Sequence, residues 1–289
     1  MRQAHHAIAP AFTAPAHACD SHFHVFGPAD RYPYAGHLRY QPPLAPLDDY
    51  LALARTLGIE RMVFVQPSAY GQDNRCMLDA MREIGVDSCR GIVDIDESLP
   101  DDAWQALDDL GVRGVRINVS PTKPPEPGFS RTMLERVRRL DERCAAYGWH
   151  LDFLTPGWLT EELLPTFATL ACQHSLAHFG LFAAHEGPEQ PGFLRMLDLA
   201  SSGARRTWIK FTGIYRMSRA SEFHDVAPMA RRIVAAVPDR IIWGSDYPHL
   251  SFADRVGSVE LYNLLLAWAP DAGDRRRILV DNPQALFGF

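Results

Sequence analysis

Short apolar segments recur along the 289-residue chain, and most of them are followed by a stretch with helical spacing of its apolar positions. Short runs rich in Val, Ile, Phe and Trp predict buried β-strands. Eight segments fit this pattern: Cys19–Phe26, Arg61–Gln66, Cys89–Asp96, Val112–Asn118, Trp149–Leu154, Ser175–Gly180, Thr207–Gly213 and Ile241–Asp246.

Helical periodicity is clearest in four of the intervening stretches: Leu47–Leu57, Arg131–Tyr147, Leu159–Ala171 and Phe223–Val237. Eight strands that alternate with helices predict an α/β fold, a (β/α)8 TIM-type barrel. A doubly wound sheet is the alternative, but it usually carries a Gly-x-Gly-x-x-Gly turn after its first strand, and the sequence has none.

No linker divides the chain, so we expect one barrel domain over residues 19–289 and an extended N-terminal arm over residues 1–18. Two long connections follow predicted strands one and four, at Tyr32–Pro46 and Pro121–Pro127. In a barrel these connections lie at the end where active sites form, and long loops there often cover the site.

Polar residues share one parity in several of the predicted strands. Side chains alternate between the two faces of a strand, and the apolar partners Phe23, Val115 and Trp243 are expected to face the helices. The inward set is then Asp20, His22, His24, Gly114, Arg116, Asn118, His178, Lys210, Thr212, Gly244 and Asp246. Such residues at the C-terminal ends of barrel strands indicate an active site.

Charge and composition argue against several classes of protein. The net charge of -6 argues against a general binder of nucleic acids or membrane surfaces. No segment is apolar enough for a membrane span, and the N-terminus lacks the apolar core of a signal peptide. Five dispersed cysteines without a Cys-x-x-Cys pair are typical of reduced thiols, so we expect a cytoplasmic protein.

Each candidate residue also has a purely structural interpretation. His22 and His24 would lie about 7 Å apart on one face, which suits a shared metal or a shared oxyanion. His178 alone could be a hydrogen-bonded core histidine, and Asp246 could cap a helix. Arg116 requires an anionic partner, either a barrel carboxylate (Asp94 or Asp152) or the substrate. Of the remaining histidines, His150 is expected to have a structural role. His174, His185 and His224 are expected to lie at the surface.

Several longer motifs together resemble one known family. They are Asp20–Pro28, Val65–Gly71, Gly111–Asn118, His178–Gly180, Trp243–His249 and Leu279–Pro283. In these motifs the chain resembles the 2-pyrone-4,6-dicarboxylate lactonase group of the amidohydrolase superfamily, a group that also includes sugar lactonases and an aldarolactone isomerase. The resemblance covers Cys19 to Phe289.

The resemblance implies roles for individual residues. Asp246 matches the general base of the family, and His22, His24 and His178 match the histidines that polarise the lactone carbonyl. The implied substrate-binding residues are Arg116, Arg216, Ser68, Tyr40, Asn118, Tyr70 and His249. The resemblance also implies an enzyme without a cofactor, because the dicarboxylate lactonase works without a metal.

Two regions depart from that lactonase. Around strand five the lactonase carries an aromatic hydroxyl near its site, whereas this chain has His150 and Asp152, and the end of strand seven, Thr212–Arg216, also differs. These departures argue against the pyrone dicarboxylate itself. The loop at Ser68–Tyr70 and the segment Trp268–Asp271 are at least as similar to the aldarolactone isomerase.

The first hypothesis is hydrolysis of a small molecule, a carboxylated lactone, by a water molecule that Asp246 activates. The three histidines, at least one of them protonated, would stabilise the oxyanion that develops. Isomerisation is the second, with a substrate hydroxyl as the nucleophile. A third is a zinc-dependent decarboxylase with His22, His24, His178 and Asp246 as ligands. A non-catalytic binder on the same scaffold is the fourth.

Overall fold

The computed structural model describes residues 8–36, 38, 40–119, 129–202 and 206–289. Eight strands form one parallel sheet in which each strand pairs with the next along the chain. They are β1 Cys19–Phe23, β2 Arg61–Val65, β3 Cys89–Val93, β4 Val112–Asn118, β5 His150–Leu154, β6 Gln173–Leu176, β7 Thr207–Phe211 and β8 Ile241–Trp243.

Helices alternate with these strands, and their apolar faces pack against the sheet. Their bounds are α1 Leu47–Leu57, α2 Arg75–Ile84, α3 Asp101–Asp109, α4 Phe129–Tyr147, α5 Gly157–Phe167, α6 Pro191–Ser201, α7 Ala227–Ala236, α8 Ser258–Asn263, α9 Leu265–Trp268, α10 Ala272–Arg276 and α11 Asn282–Phe287. Helix α7 is shorter than expected because the 3-10 segment Ser221–Val226 precedes it.

The sheet closes on itself through the segment after β8. The backbone N–H of Asp246 donates to the carbonyl oxygen of His22 at 2.8 Å, and the N–H of His24 donates to that of Tyr247 at 2.8 Å. The order β1 to β8 with this closure confirms the (β/α)8 barrel and excludes the doubly wound alternative. None of the helices over the described residues is long and apolar enough to cross a membrane.

An apolar cluster fills the barrel interior near the N-terminal ends of the strands. Trp208 and Ile242 belong to this cluster together with Val63, Val65 and Ile92, and Leu286 and Phe287 of α11 pack against them. The C-terminal helix therefore covers the N-terminal ends of the strands, and polar chemistry is left to the opposite end.

Segments of the N-terminal arm and of the loop after β1 pack against the barrel. In the described part of the arm, Phe12 stacks on Tyr262 of α8 with ring centroids 4.3 Å apart. The loop after β1 returns to the sheet through a bridge between Phe26 and Ala45. The predicted covering loop Pro121–Pro127 lies outside the described residues.

Six of the eight predicted strands extend beyond the observed C-terminal ends, and in β6 and β8 the excess includes site residues. Strand β6 ends at Leu176, and the 3-10 segment Ala177–Leu181 follows it. Strand β8 ends at Trp243. His178 has a φ of 54° and Asp246 a φ of 56°, values in the left-handed region that a β-strand cannot contain. Both residues therefore lie on turns above the strand ends, and strand alternation does not determine their direction.

The expected inward direction of Asp20 is wrong. The pairing of β1 with β2 shifts between Asp20 and Phe23, which is the sign of a β-bulge. Because of the extra residue, Asp20 lies on the same outer face as Phe23, where it accepts a hydrogen bond from Tyr50 of α1 at 3.1 Å. Oδ1 of Asp20 also accepts the N–H of Ser245 at 2.9 Å, so Asp20 ties β1 to the turn that carries Asp246.

Candidate active site

The carboxylate of Asp246 is the centre of the polar cluster at the C-terminal end of the barrel. Its Oδ1 lies 3.5 Å from Nε2 of His22 and 3.6 Å from Nε2 of His24. Its Oδ2 lies 3.9 Å from Nε2 of His178 and 3.4 Å from Nε of Arg216. The structure thus brings together the four residues that the sequence predicts as catalytic.

Two glycines permit this close arrangement. A Cβ at Gly213 would lie 2.2 Å from Nδ1 of His178, and one at Gly244 would lie 2.5 Å from Cβ of His22. Real Cβ atoms do not make such contacts, so only glycine allows these two histidines to approach the neighbouring strand ends.

A cleft of about 490 Å³ opens above Asp246. Most of the predicted substrate-binding residues line it. The lining side chains are His24, Tyr40, Pro67, Ser68, Arg116, Asn118, Leu154, His178, Arg216, Asp246, Leu250 and Ser251. The cleft volume suits a small ring compound, and its lining combines two arginines with several neutral hydrogen-bonding groups.

Two predicted substrate-binding residues do not line this cleft. The hydroxyl of Tyr70 accepts a hydrogen bond from the N–H of Gly27 at 3.1 Å. The ring of His249 packs edge-on against Tyr215, and its Nε2 is 2.7 Å from the hydroxyl of Ser258. Both side chains are buried and hold loops in place, so direct substrate contact does not follow from their positions.

Arg116 is directed at the cleft and not at a barrel carboxylate. One of its terminal nitrogens donates to the carbonyl oxygen of Gln66 at 2.6 Å, and its Nε has no hydrogen-bond partner among the described residues. The two proposed carboxylate partners have other cations: Asp152 pairs with Lys210 at 2.7 Å, and Asp94 pairs with Arg136 at 3.0 Å. A buried guanidinium with an unpaired N–H is suited to bind an anionic ligand.

Tyr215 also belongs to the cluster around Asp246, although the sequence patterns do not predict it. Its hydroxyl donates a hydrogen bond to Oδ2 of Asp246 at 2.5 Å. Burial and the neighbouring Asp246 raise the pKa of Tyr215 well above 10, so the phenol remains a donor. The residue precedes Arg216 in the 3-10 segment Ile214–Arg216, and its position directly after the predicted strand seven was the signal available in the sequence.

Burial controls the protonation of the site. It lowers the pKa of His178 from 6.5 to about 3, even though Asp246 acts in the opposite direction. It likewise lowers the pKa of His22 and His24 below the usual value. Neutral imidazoles are therefore expected near pH 7, in contrast to the expectation that at least one is protonated.

The pKa of Asp246 moves in the other direction. Burial alone would raise it, but the facing His178 and the guanidinium of Arg216 outweigh that effect and hold it well below 3.8. The site thus combines an ionised carboxylate with neutral imidazoles.

The histidines outside the cluster around Asp246 include both buried and exposed residues. His150 is buried at the first position of β5, and its Nδ1 lies 2.7 Å from the carbonyl oxygen of Arg113. His185 and His224 are exposed, as expected. The prediction of a surface position for His174 is wrong, because its ring is buried against Phe167 and its Nε2 lies 2.8 Å from the hydroxyl of Thr207.

Three of the clustered residues offer a possible metal set. Single ligand atoms of His22, His178 and Asp246 all lie within 4.8 Å of one another. Imidazole nitrogen and carboxylate oxygen are suitable ligands for Zn²⁺, so the donor set has the right chemistry.

Comparison with known proteins extends these observations. A family profile described as Amidohydrolase matches residues 19–289. The chain is similar to a 4-sulfomuconolactone hydrolase of Hydrogenophaga intermedia, with 37% identity over 98% of this chain and 93% of the relative. It is also similar to a D-galactarolactone isomerase of Agrobacterium fabrum, with 31% identity over 96% of this chain and 92% of the relative.

A solved structure shows the same architecture. The crystal structure of an Acinetobacter baumannii protein, described as a 2-pyrone-4,6-dicarboxylic acid hydrolase with citric acid bound, matches with a TM-score of 0.81 and 25% identity. The match covers 94% of this chain and all of the other chain. The resemblance found in the sequence motifs is thereby confirmed.

Proposed function

Because the chain belongs to the amidohydrolase family, we propose that it hydrolyses a small lactone that carries an acidic substituent, a carboxylate or a sulfonate. The observation that carries the proposal is the ionised Asp246 at the base of a cleft, faced by three imidazoles and by Arg216, with Arg116 in the same wall. This set contains a base, hydrogen-bond donors for a developing oxyanion and cations for an acid group.

The proposed reaction begins with a water molecule beside Asp246. The carboxylate takes one proton from the water while the water oxygen attacks the carbonyl carbon of the lactone. Imidazole N–H groups donate to the carbonyl oxygen while it gains negative charge. The ring C–O bond then breaks, and protonated Asp246 returns its proton to the leaving oxygen. A lactone of a saturated alcohol thus gives a hydroxy acid, and an enol lactone gives an enol acid.

The acidic substituent of the substrate is assigned to Arg116 and Arg216. Guanidinium groups bind carboxylates and sulfonates through paired N–H donors, and Arg116 retains an unpaired Nε. Arg216 contacts Asp246 as well as the cleft, so it couples substrate binding to the position of the base. Tyr40, Ser68 and Asn118 are assigned to neutral oxygens of the substrate.

Isomerisation of a lactone is the second candidate, and the similarity to the galactarolactone isomerase favours it. The same base would then activate a hydroxyl of the substrate in place of water. The two reactions differ in the source of the oxygen that attacks the carbonyl.

A zinc site does not fit the arrangement around His22. To ligate through Nε2, a neutral His22 would carry its proton on Nδ1, but Nζ of Lys210 lies 3.4 Å from Nδ1 and is itself a donor. We therefore propose catalysis without a metal, and we do not retain the zinc-dependent decarboxylase.

The test is turnover of a lactone panel in water enriched in ¹⁸O, with products analysed by mass spectrometry. We expect ring opening of 4-sulfomuconolactone, 2-pyrone-4,6-dicarboxylate or an aldarolactone, with one ¹⁸O in the product and no turnover of the uncharged γ-butyrolactone. Conversion without ¹⁸O would favour the isomerase. Equal turnover of the uncharged lactone would contradict the role of the arginines, and no turnover of any acidic lactone would overturn the proposal.

A further inference from the structure

Directly beneath His22, the barrel interior contains a buried ion pair that the proposed reaction does not use. Lys210 of β7 and Asp152 of β5 are both completely buried, and Nζ of Lys210 lies 2.7 Å from Oδ1 of Asp152. The same Oδ1 accepts a hydrogen bond from the hydroxyl of Ser175 at 2.6 Å. Removing two charges from water carries a desolvation cost that pairing does not always offset, so the pair calls for an explanation.

The two charges stabilise each other against burial. Burial lowers the pKa of Lys210, and the adjacent Asp152 acts in the opposite direction. Burial raises the pKa of Asp152, but Lys210 and Arg116 together outweigh this effect and lower it to about 2. Asp152 is thus a carboxylate at neutral pH, and an ammonium group is its natural partner at 2.7 Å.

The ammonium group also determines the tautomer of His22. A lysine ammonium has three N–H donors and no acceptor. Nζ of Lys210 lies 3.4 Å from Nδ1 of His22, so that nitrogen must offer its lone pair. A neutral imidazole then carries its proton on Nε2, the nitrogen that lies 3.5 Å from Oδ1 of Asp246 and has no hydrogen-bond partner among the described residues.

The neighbouring histidine on the same strand has the opposite arrangement. Nδ1 of His24 lies 2.7 Å from the carbonyl oxygen of Val65, which can only accept, so His24 carries its proton on Nδ1. Its Nε2, 3.6 Å from Oδ1 of Asp246, therefore presents a lone pair. The two imidazoles thus present one donor and one acceptor on the same side of the carboxylate.

We propose that Lys210, supported by Asp152, is a positioning residue that holds His22 as an Nε2–H donor for the carbonyl oxygen of the lactone. The inference rests on the proposed lactone chemistry for its functional meaning, whereas the tautomer itself is a property of the free protein. It deepens that proposal by assigning His22 as the oxyanion donor and His24 as the acceptor of a hydrogen bond from the attacking water, while Asp246 takes the proton.

The direct test is ¹⁵N NMR of the histidine rings in the full-length protein at pH 7.5, with His22 assigned by loss of its signals in His22→Gln. We expect His22 to be protonated on Nε2 and His24 on Nδ1 in the wild type. In Lys210→Met we expect His22 to populate the Nδ1–H form. A wild-type His22 protonated on Nδ1 would overturn the proposal, whatever the substrate of the enzyme is.

Kinetics provide the second readout. Because Lys210→Met leaves Asp152 buried without a cation, the variant Lys210→Met/Asp152→Asn removes both charges and keeps the side-chain volumes close. We expect kcat of this double variant to fall about 10²- to 10³-fold, the effect of losing one oxyanion donor, with KM within about threefold.

The matched control is Ser175→Ala, which removes a hydrogen bond to Oδ1 of Asp152 and keeps both charges and the donor to His22. It should lose less than about tenfold in kcat. A double variant with wild-type kcat, or one that loses no more than Ser175→Ala, would contradict the positioning role. Absence of any lactone turnover by the wild type would refute the proposed function and leave the NMR experiment to decide this inference.

Discussion

The hydroxyl of Tyr215 donates a hydrogen bond of 2.5 Å to Oδ2 of Asp246. Nε of Arg216 lies 3.4 Å from the same oxygen, whereas Oδ1 faces His22 and His24. The two oxygens of the carboxylate are therefore distinct: Oδ2 is occupied by donors from one short segment, and Oδ1 is turned towards the imidazoles. We infer that Oδ1 is the atom that exchanges the proton with water and with the leaving oxygen.

Replacement of Tyr215 by Phe should raise the pKa of Asp246, since it removes a donor that stabilises the ionised carboxylate. A hydrogen bond to a charged group contributes about 1.5–3 kcal/mol, equivalent to about one to two pH units. The base must be deprotonated, so the acid limb of kcat/KM should move to higher pH. Tyr147→Phe, with its hydroxyl near the backbone oxygen of Asp101, is the control. An unchanged acid limb would contradict the assignment.

Replacement of Asp246 by Asn preserves the shape of the side chain and removes the proposed base. General base catalysis contributes roughly 10²- to 10⁴-fold, and we expect kcat to fall by at least that factor. Asp254→Asn in the exposed loop after β8 serves as the control and should retain full activity. Near-normal turnover by Asp246→Asn would exclude Asp246 as the base.

Replacement of Arg116 by Lys keeps the charge and removes the planar set of N–H donors. Loss of a charge-assisted hydrogen bond to the acidic substituent should raise KM about 10- to 100-fold, with a much smaller change in kcat. Arg113→Lys, which changes a guanidinium paired with Asp108 on the outer side of the same strand, is the matched control. If the two variants have equal KM values, Arg116 does not bind the substrate.

The barrel and most of its site could be predicted from the sequence because strand alternation is a local property. Within regular strands, such as β4 with Arg116 and β7 with Lys210, alternation placed the side chains correctly. It failed at Asp20, where a single bulge reverses the face of every residue before it. A bulge has no reliable signature in one sequence.

The residues beyond the strand ends were harder to derive. His178 and Asp246 lie on left-handed turns, so their convergence depends on two loops that meet only in the folded chain. The family resemblance predicted both residues as catalytic. The alternation of side chains along a strand does not apply to them, because neither residue lies in a strand. Tyr215 was missed for the same reason, because its hydroxyl reaches Asp246 from a turn and not from a strand.

Removal of divalent metals should leave the activity unchanged, since the proton that Lys210 places on Nε2 of His22 occupies the position a metal would need. We expect less than one tenth of a zinc ion per chain after dialysis against a chelator, with kcat within about twofold of the untreated protein. The measurement is elemental analysis paired with the lactone assay. One tightly bound zinc per chain, with activity lost on its removal and restored by zinc, would reassign His22, His178 and Asp246 as ligands.

The folded protein should lose stability as the pH falls below neutrality. Burial lowers the pKa of His150 to about 4 and that of His174 to about 3, from 6.5 in the unfolded chain. Between pH 6.5 and pH 4 the unfolded chain therefore binds protons that the folded protein does not. Each such histidine should lower the free energy of unfolding by about 1.4 kcal/mol per pH unit in that range.

Urea unfolding of wild type and His174→Phe between pH 7 and pH 5 measures this linkage. The variant keeps a ring against Phe167, and its free energy of unfolding should depend on pH less steeply by the equivalent of one proton. Thr207→Val is the matched control, because it removes the hydrogen bond to His174 and keeps the imidazole buried, so the steeper dependence should remain. Equal slopes for wild type and His174→Phe would mean that His174 is protonated in the folded protein as readily as in the unfolded chain.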